Sequence, residues 1–137
     1  MRKIFALFIS IIIFTFCFYS LYAEKSPVFK AYAEKYELYL TAGSFGDNIV
    51  LATNLNFGDY LNIKGESCVV SVSYGQVLAD FSATHVFSEE TSAGISYYAY
   101  SPRVKYKTYV DGKVINIHYF NGKEYAKLGT PIIFGSF

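Results

Sequence analysis

Cysteine is too scarce here to staple the fold. The chain has two, and Cys17 sits in an apolar N-terminal run, so removing that run leaves Cys68 alone with no intrachain disulfide to form. Exported small domains often lean on disulfides, so the folding energy must come from packing. Tryptophan is absent, and the aromatic mass is carried by 14 tyrosines and 13 phenylalanines. Tyrosine combines apolar area with a polar tip and suits half-buried strands. No repeat, low-complexity tract or Pro/Gly-rich linker divides the chain, and 137 residues suffice for one domain. The sequence holds no G-x-S-x-G, H-E-x-x-H, Walker loop or G-x-G-x-x-G motif. Net charge is only +1. Without Arg2 and Lys3 it becomes −1, with 10 cations against 11 anions, a poor footprint for nucleic-acid phosphates.

What the chain does have is a long apolar run over residues 4–21, preceded by Arg2 and Lys3. Two cations ahead of an apolar core match the layout of a signal peptide, and Leu21-Tyr22-Ala23 ends in a small residue where a peptidase could cut. The rival reading is an uncleaved membrane anchor with its cations inside. Lipidation at Cys17 is disfavoured, because Phe14-Thr15-Phe16 replaces the small residues that such a site needs. Residues 1–23 are therefore expected to be a signal peptide or an N-terminal anchor, and residues 24–137 a single exported domain, secreted or on the outer face of the cell membrane. Charge in that domain is lopsided: residues 24–101 carry 4 cations and 9 anions, residues 102–137 carry 6 and 2. The basic third could face an anionic surface or simply be solvated strand lysines.

The elements read as mostly strands. Residues 36–40 and 49–53 flank a turn cluster at 43–48 and form a plausible hairpin. Residues 24–35 could be a tether or a short helix, and 56–61 one helical turn. Residues 68–72 are a β-branched strand. Residues 76–83 predict a helix, with Val77, Leu78 and Phe81 in one apolar stripe. A β-meander follows. Residues 85–87 and 95–100 flank a loop, and 105–110 and 114–120 flank Asp111-Gly112, a strong type I′ hairpin signal. Asn121-Gly122 is a second type I′ candidate leading into 124–128, and Pro131 opens the apolar tail Ile132-Ile133-Phe134. Gly112→Val is expected to harm stability more than Gly122→Val, because the second turn leads to a shorter, more polar strand. The expected class is α+β: a mostly antiparallel, curved sheet with one or two short helices on one face.

Tyr97-Tyr98-Ala99-Tyr100-Ser101-Pro102, then Val110-Asp111-Gly112-Lys113-Val114-Ile115-Asn116-Ile117-His118, then Leu128-Gly129-Thr130-Pro131-Ile132-Ile133 occur in order. This succession resembles the C-terminal portion of the YwmB-like secreted proteins of Firmicutes, over roughly residues 65–137. The chain is shorter than full members of that family and ends in Phe-Gly-Ser-Phe rather than an acidic-aromatic pair. The resemblance implies a fold like that of the TATA-box-binding protein, without implying DNA binding, and brings no activity with it.

Several constellations could carry chemistry. Cys68 with His85 or His118 would make a nucleophile and its base, although a cysteine inside Ser-Cys-Val-Val-Ser-Val reads as a buried structural one. His85 with Glu89 and Glu90 offers metal-ligand types, but on a regular strand His85 and Glu89 share a face about 13 Å apart. Glu89 and Glu90 with Asp80 or Glu66 are the carboxylates available for a hydrolytic pair. None of these matches a known spacing, so no catalytic residue, metal site or cofactor is assigned. Alternation puts Tyr97 on one sheet face and Tyr98 with Tyr100 on the other, which makes Tyr98 and Tyr100 the candidate interaction surface. The sequence thus reads as a non-enzymatic cell-envelope module for a protein or cell-wall partner, contacting membrane only through an uncleaved N-terminus. The alternative is a small thiol- or carboxylate-dependent hydrolase.

Overall fold

The computed structural model describes residues 1–23, 28–29, 31–32, 37–42, 46–51 and 62–134. The helical turn expected at 56–61 lies outside the described residues, as does most of the 24–35 segment. Helix α1 spans Arg2–Ala23. Its apolar side chains, among them Ile4, Phe5, Phe8, Ile12 and Phe16, are exposed rather than packed into the core. Among the described residues no helix is long and apolar enough to cross a membrane.

The domain is built on one sheet. Strands β1 (Glu37–Ala42), β2 (Gly46–Leu51), β3 (Ile63–Val70), β4 (Thr84–Glu90), β5 (Gly94–Tyr100), β8 (Ile117–Gly122) and β9 (Ala126–Thr130) form seven strands in the order β2-β1-β3-β9-β8-β5-β4. Every pairing is antiparallel. Strands β6 (Thr108–Val110) and β7 (Lys113–Ile115) make a separate two-stranded hairpin inserted between β5 and β8. The fold is therefore α+β with an antiparallel sheet, as the periodicity predicts.

Helix α2 spans Tyr74–Asp80, starting two residues earlier and ending three earlier than the predicted 76–83. Ser73 sets the start, its hydroxyl accepting the Gln76 N–H at 3.2 Å. Ser82 sets the end: its φ of 49° is left-handed, and Ser82 N–H and Ala83 N–H bond back to Ala79 O and Leu78 O at 3.2 and 2.8 Å, a Schellman closure.

Register assigns the side chains to two faces. Cys68, Leu128, Tyr119 and Tyr97 lie opposite one another across β3, β9, β8 and β5 and share the face under α2. There the core gathers Cys68, Val70, Val77, Ala99, Val104, Ile117, Tyr119, Leu128 and Phe29. The second face carries a row across β4, β5 and β8: Phe87 stacks on Tyr98 at 4.4 Å, and Tyr98 on His118 at 4.5 Å. The row continues to Gly129, where a Cβ would lie 2.7 Å from Ile133. Because that glycine has no side chain, the tail folds down onto the sheet. Ile133 is buried, its N–H donates to His118 Nδ1 at 3.1 Å, and Phe134 stacks on Tyr39 at 3.6 Å.

Asp111-Gly112 makes the expected turn, with φ of 48° and 74°. Its hairpin is shorter than expected, three residues a side, because Asn116 leaves the ladder. The Asn116 amide donates to Ser101 O and Val104 O at 2.6 and 3.0 Å and accepts the Ser101 N–H at 2.7 Å. Asn121-Gly122 is not a turn. Both residues belong to β8, Asn121 pairs with Ala126, and the chain reverses between Gly122 and Tyr125.

Candidate functional site

Cys68 and the two histidines are not brought together. His118 lies on the opposite face of the sheet from Cys68. His85 shares the Cys68 face but sits four strands away, roughly 19 Å at ~4.8 Å per strand. The Cys68 thiol is buried, and burial together with the field of Glu66 pushes it up to about 12. No thiolate is poised there.

His85 and Glu89 do not share a face. A bulge between His85 and Phe87 shifts the β4 register, so His85 lies on the α2 side and Glu89 on the other. Each is engaged separately, His85 Nδ1 with the Tyr74 hydroxyl at 2.8 Å and Glu89 with the Tyr98 hydroxyl at 3.2 Å. Among the described residues no group of three potential metal ligands converges. The carboxylates are scattered too: Asp80 at the end of α2 binds the Tyr32 hydroxyl and the Gln76 amide, while Glu66 is buried in β3.

Tyr98 and Tyr100 do point to one face, but they do not form an exposed pair. Tyr98 is 9% exposed, held between Phe87 and His118, whereas Tyr100 is 38% exposed. Alternation cannot reveal that the second face is roofed as well. Lys113 lies over the Phe87 ring at 5.1 Å, and the tail covers His118.

Two features missed by motif reasoning emerge from the packing. The first is Glu66, 1% exposed. Its Oε1 accepts the Phe29 N–H, and the Val28 N–H also bonds to the carboxyl. This fastens Val28 and Phe29 over the sheet, where Phe29 meets Phe81 edge-on at 5.5 Å. Among the described residues, Glu66 Oε2 and the hydroxyl of Thr130, directly opposite on β9, have no hydrogen-bond partner. Burial raises the Glu66 carboxyl to about 7 against the lowering effect of those amides.

The second feature runs along residues 103–110, where burial alternates strictly. Arg103, Lys105, Lys107 and Tyr109 are exposed, while Val104, Tyr106, Thr108 and Val110 turn inward. Val104 is in the core. Burial and the nearby Glu66 raise Tyr106 to about 12. Ser101 secures the base of the segment: its hydroxyl bonds Phe81 O at 2.5 Å and accepts the Arg103 N–H at 3.0 Å. The exposed members of the stretch are thus three cations and Tyr109, 68% exposed, with only Thr108–Val110 in a strand and the Arg103 guanidinium donating to Asp80 O at 3.4 Å. The signal was present as Arg-x-Lys-x-Lys-x-Tyr, but solvated strand lysines look the same until their inward neighbours are placed.

No family model, curated protein or solved structure matches the chain.

Proposed function

We propose that this chain is an exported, non-enzymatic binding or support module of the cell envelope, delivered by α1. The observation that carries this reading is the state of α1: its apolar side chains stand exposed while the core beneath α2 is assembled from other residues. A helix so rich in uncovered Ile, Leu and Phe needs a hydrocarbon environment, whether as a transient targeting segment or as an anchor. The separation of Cys68 from both histidines, and the dispersal of the carboxylates, support binding rather than hydrolysis. The resemblance of residues 65–137 to the YwmB-like secreted proteins of Firmicutes belongs to the same proposal.

Fractionation of cells making the full chain, followed by mass spectrometry, tests it. The expected result is residues 24–137 outside the cytoplasmic membrane with a mature N-terminus near Glu24, or intact Met1 in the membrane fraction if α1 is retained. Soluble full-length protein in the cytoplasm would refute the proposal.

A further inference from the structure

We infer that two copies of this chain join edge to edge through β4, antiparallel and two-fold, with Ser88 of one against Ser88 of the other. β4 ends the sheet: it is bonded to β5 on one side and, among the described residues, to no strand on the other. Thr84, His85, Ser88, Glu89 and Glu90 are exposed, and Val86 and Phe87 are half-buried. Such an edge presents a row of backbone N–H and C=O groups that templates another strand.

The ladder shows which residues turn those groups outward. Thr91 and Gly94 exchange both backbone bonds, at 2.8 and 3.3 Å. Bonded and non-bonded pairs alternate along an antiparallel ladder. Glu89–Ser96 and Phe87–Tyr98 are therefore bonded pairs, and Ser88 and Glu90 point their N–H and C=O away from β5. Centring a two-fold pair on Phe87 runs the new ladder into the bulge between His85 and Phe87. Centring it on Glu89 sets two carboxylates directly opposite each other, which is repulsive. Centring on Ser88 avoids that repulsion and keeps the bulge to the outer ends. The two Ser88 backbones bond each other, Glu90 falls opposite Val86, and each Glu89 falls opposite Phe87 of the second copy. Lys113 lies over that ring, 5.1 Å from its centroid, on the face that carries Glu89. Side chains directly opposite stand ~4.5–5.5 Å apart at Cβ, so each Glu89 comes within reach of Lys113 of the second copy. Glu89 Oε2 takes the Tyr98 hydroxyl at 3.2 Å, and Oε1 is the oxygen offered to the ammonium. The contact is self-complementary and closes at a dimer.

A two-fold axis normal to the sheet leaves both copies facing the same way. Val28 and Phe29, which follow α1 in the chain, lie on the α2 face. Both copies thus bring their N-terminal ends to one side, as two chains held in one membrane require. The pairing itself does not depend on export.

Thiol crosslinking of the full chain in phosphatidylcholine vesicles tests the register. Cys17→Ser removes the exposed thiol of α1, and buried Cys68 stays unreactive, which also reports that each variant is folded. A short bifunctional thiol reagent should join S88C into a covalent dimer. E90C, whose two copies lie ~13 Å apart along the strands at ~3.3 Å per residue, and S92C, at ~26 Å, should join far more slowly. Adding E89K to S88C should cut the yield. Each exposed ion pair contributes up to about fivefold, so two contribute up to about 25-fold. E89K/K113E should restore the yield. No crosslink at 88, or equal rates at 88 and 92, would overturn the pairing. Equal or faster joining at 90, or a yield that E89K leaves unchanged or K113E fails to restore, would overturn the Ser88-centred contact. None of these failures touches the fractionation result, which alone decides export.

Discussion

Replacing Glu66 by glutamine isolates the energetics of the buried carboxyl. The group sits at about 7 in the fold, against an ordinary 4.5. Between those two values the folded state holds a proton that the unfolded chain has released, so stability falls as pH rises through this window. The stability is fully present below about pH 4.5 and is lost as pH passes 7. Each unit is worth about 1.4 kcal/mol, and Glu66 is too buried for solvent to screen it, so the loss is roughly 3 kcal/mol. His118 works in the opposite sense. Burial lowers it to about 4 from 6.5, so its contribution is present above pH 6.5 and is lost as pH falls towards 4. In the wild type the two slopes nearly cancel between pH 4.5 and 6.5. Glutamine keeps an oxygen to accept the Phe29 and Val28 amides but cannot ionise. Urea denaturation of both proteins from pH 4.5 to 8 should therefore show a gap near zero at the acidic end. The gap should widen in favour of Glu66→Gln to roughly 3 kcal/mol above pH 7, against a total stability of about 5–15 kcal/mol. A gap that does not change with pH would refute this account of Glu66.

Ser82→Gly should stabilise the protein by about 0.5–1 kcal/mol, because glycine removes the left-handed strain at the end of α2 and offsets only part of that gain through greater unfolded-state freedom; an unchanged denaturation midpoint would count against the cap. Gly122→Val should cost more than Gly112→Val, the reverse of the order expected from sequence. A Cβ at Gly122 comes within 2.8 Å of the Phe120 ring and 3.0 Å of Tyr125 O inside the main sheet, while one at Gly112 meets nothing. Overpacking at 122 costs about 1–3 kcal/mol and a left-handed valine at 112 about 1–2, and denaturation midpoints of the two variants decide the order. A thiol reagent should label Cys68 only after unfolding; rapid labelling of the folded protein would contradict its burial.

Local signals were legible where the chain answers to itself. Asp111-Gly112 turns because glycine tolerates positive φ, and Ser-Cys-Val-Val reads as a strand whatever lies beside it. What escaped the sequence depended on distant partners. Asn121-Gly122 carries the same turn chemistry but is drawn into β8 by Ala126 and by Gly94, where a Cβ would lie 2.2 Å from Asn121 O. The bulge that separates His85 from Glu89 leaves no mark in composition. Burial of Tyr98 required knowing that the tail lies down on Gly129. The alternation of cations along 103–107 was visible as a pattern, yet only the burial of Val104 and the half-burial of Tyr106 show which of its residues turn inward.

The position of β9 bears on when the domain can fold. The last strand in the chain is the middle strand of the sheet, with β3 on one side and β8 on the other. Until residues 126–130 emerge, β2-β1-β3 and β8-β5-β4 are two three-stranded pieces with no ladder between them. A chain with this order stays open along β1 to β8 and closes only when residues 126–130 pair on both sides. Chains arrested before Ala126 should accordingly be digested by protease at conditions where the full chain resists; equal resistance would show that the halves hold together without their central strand.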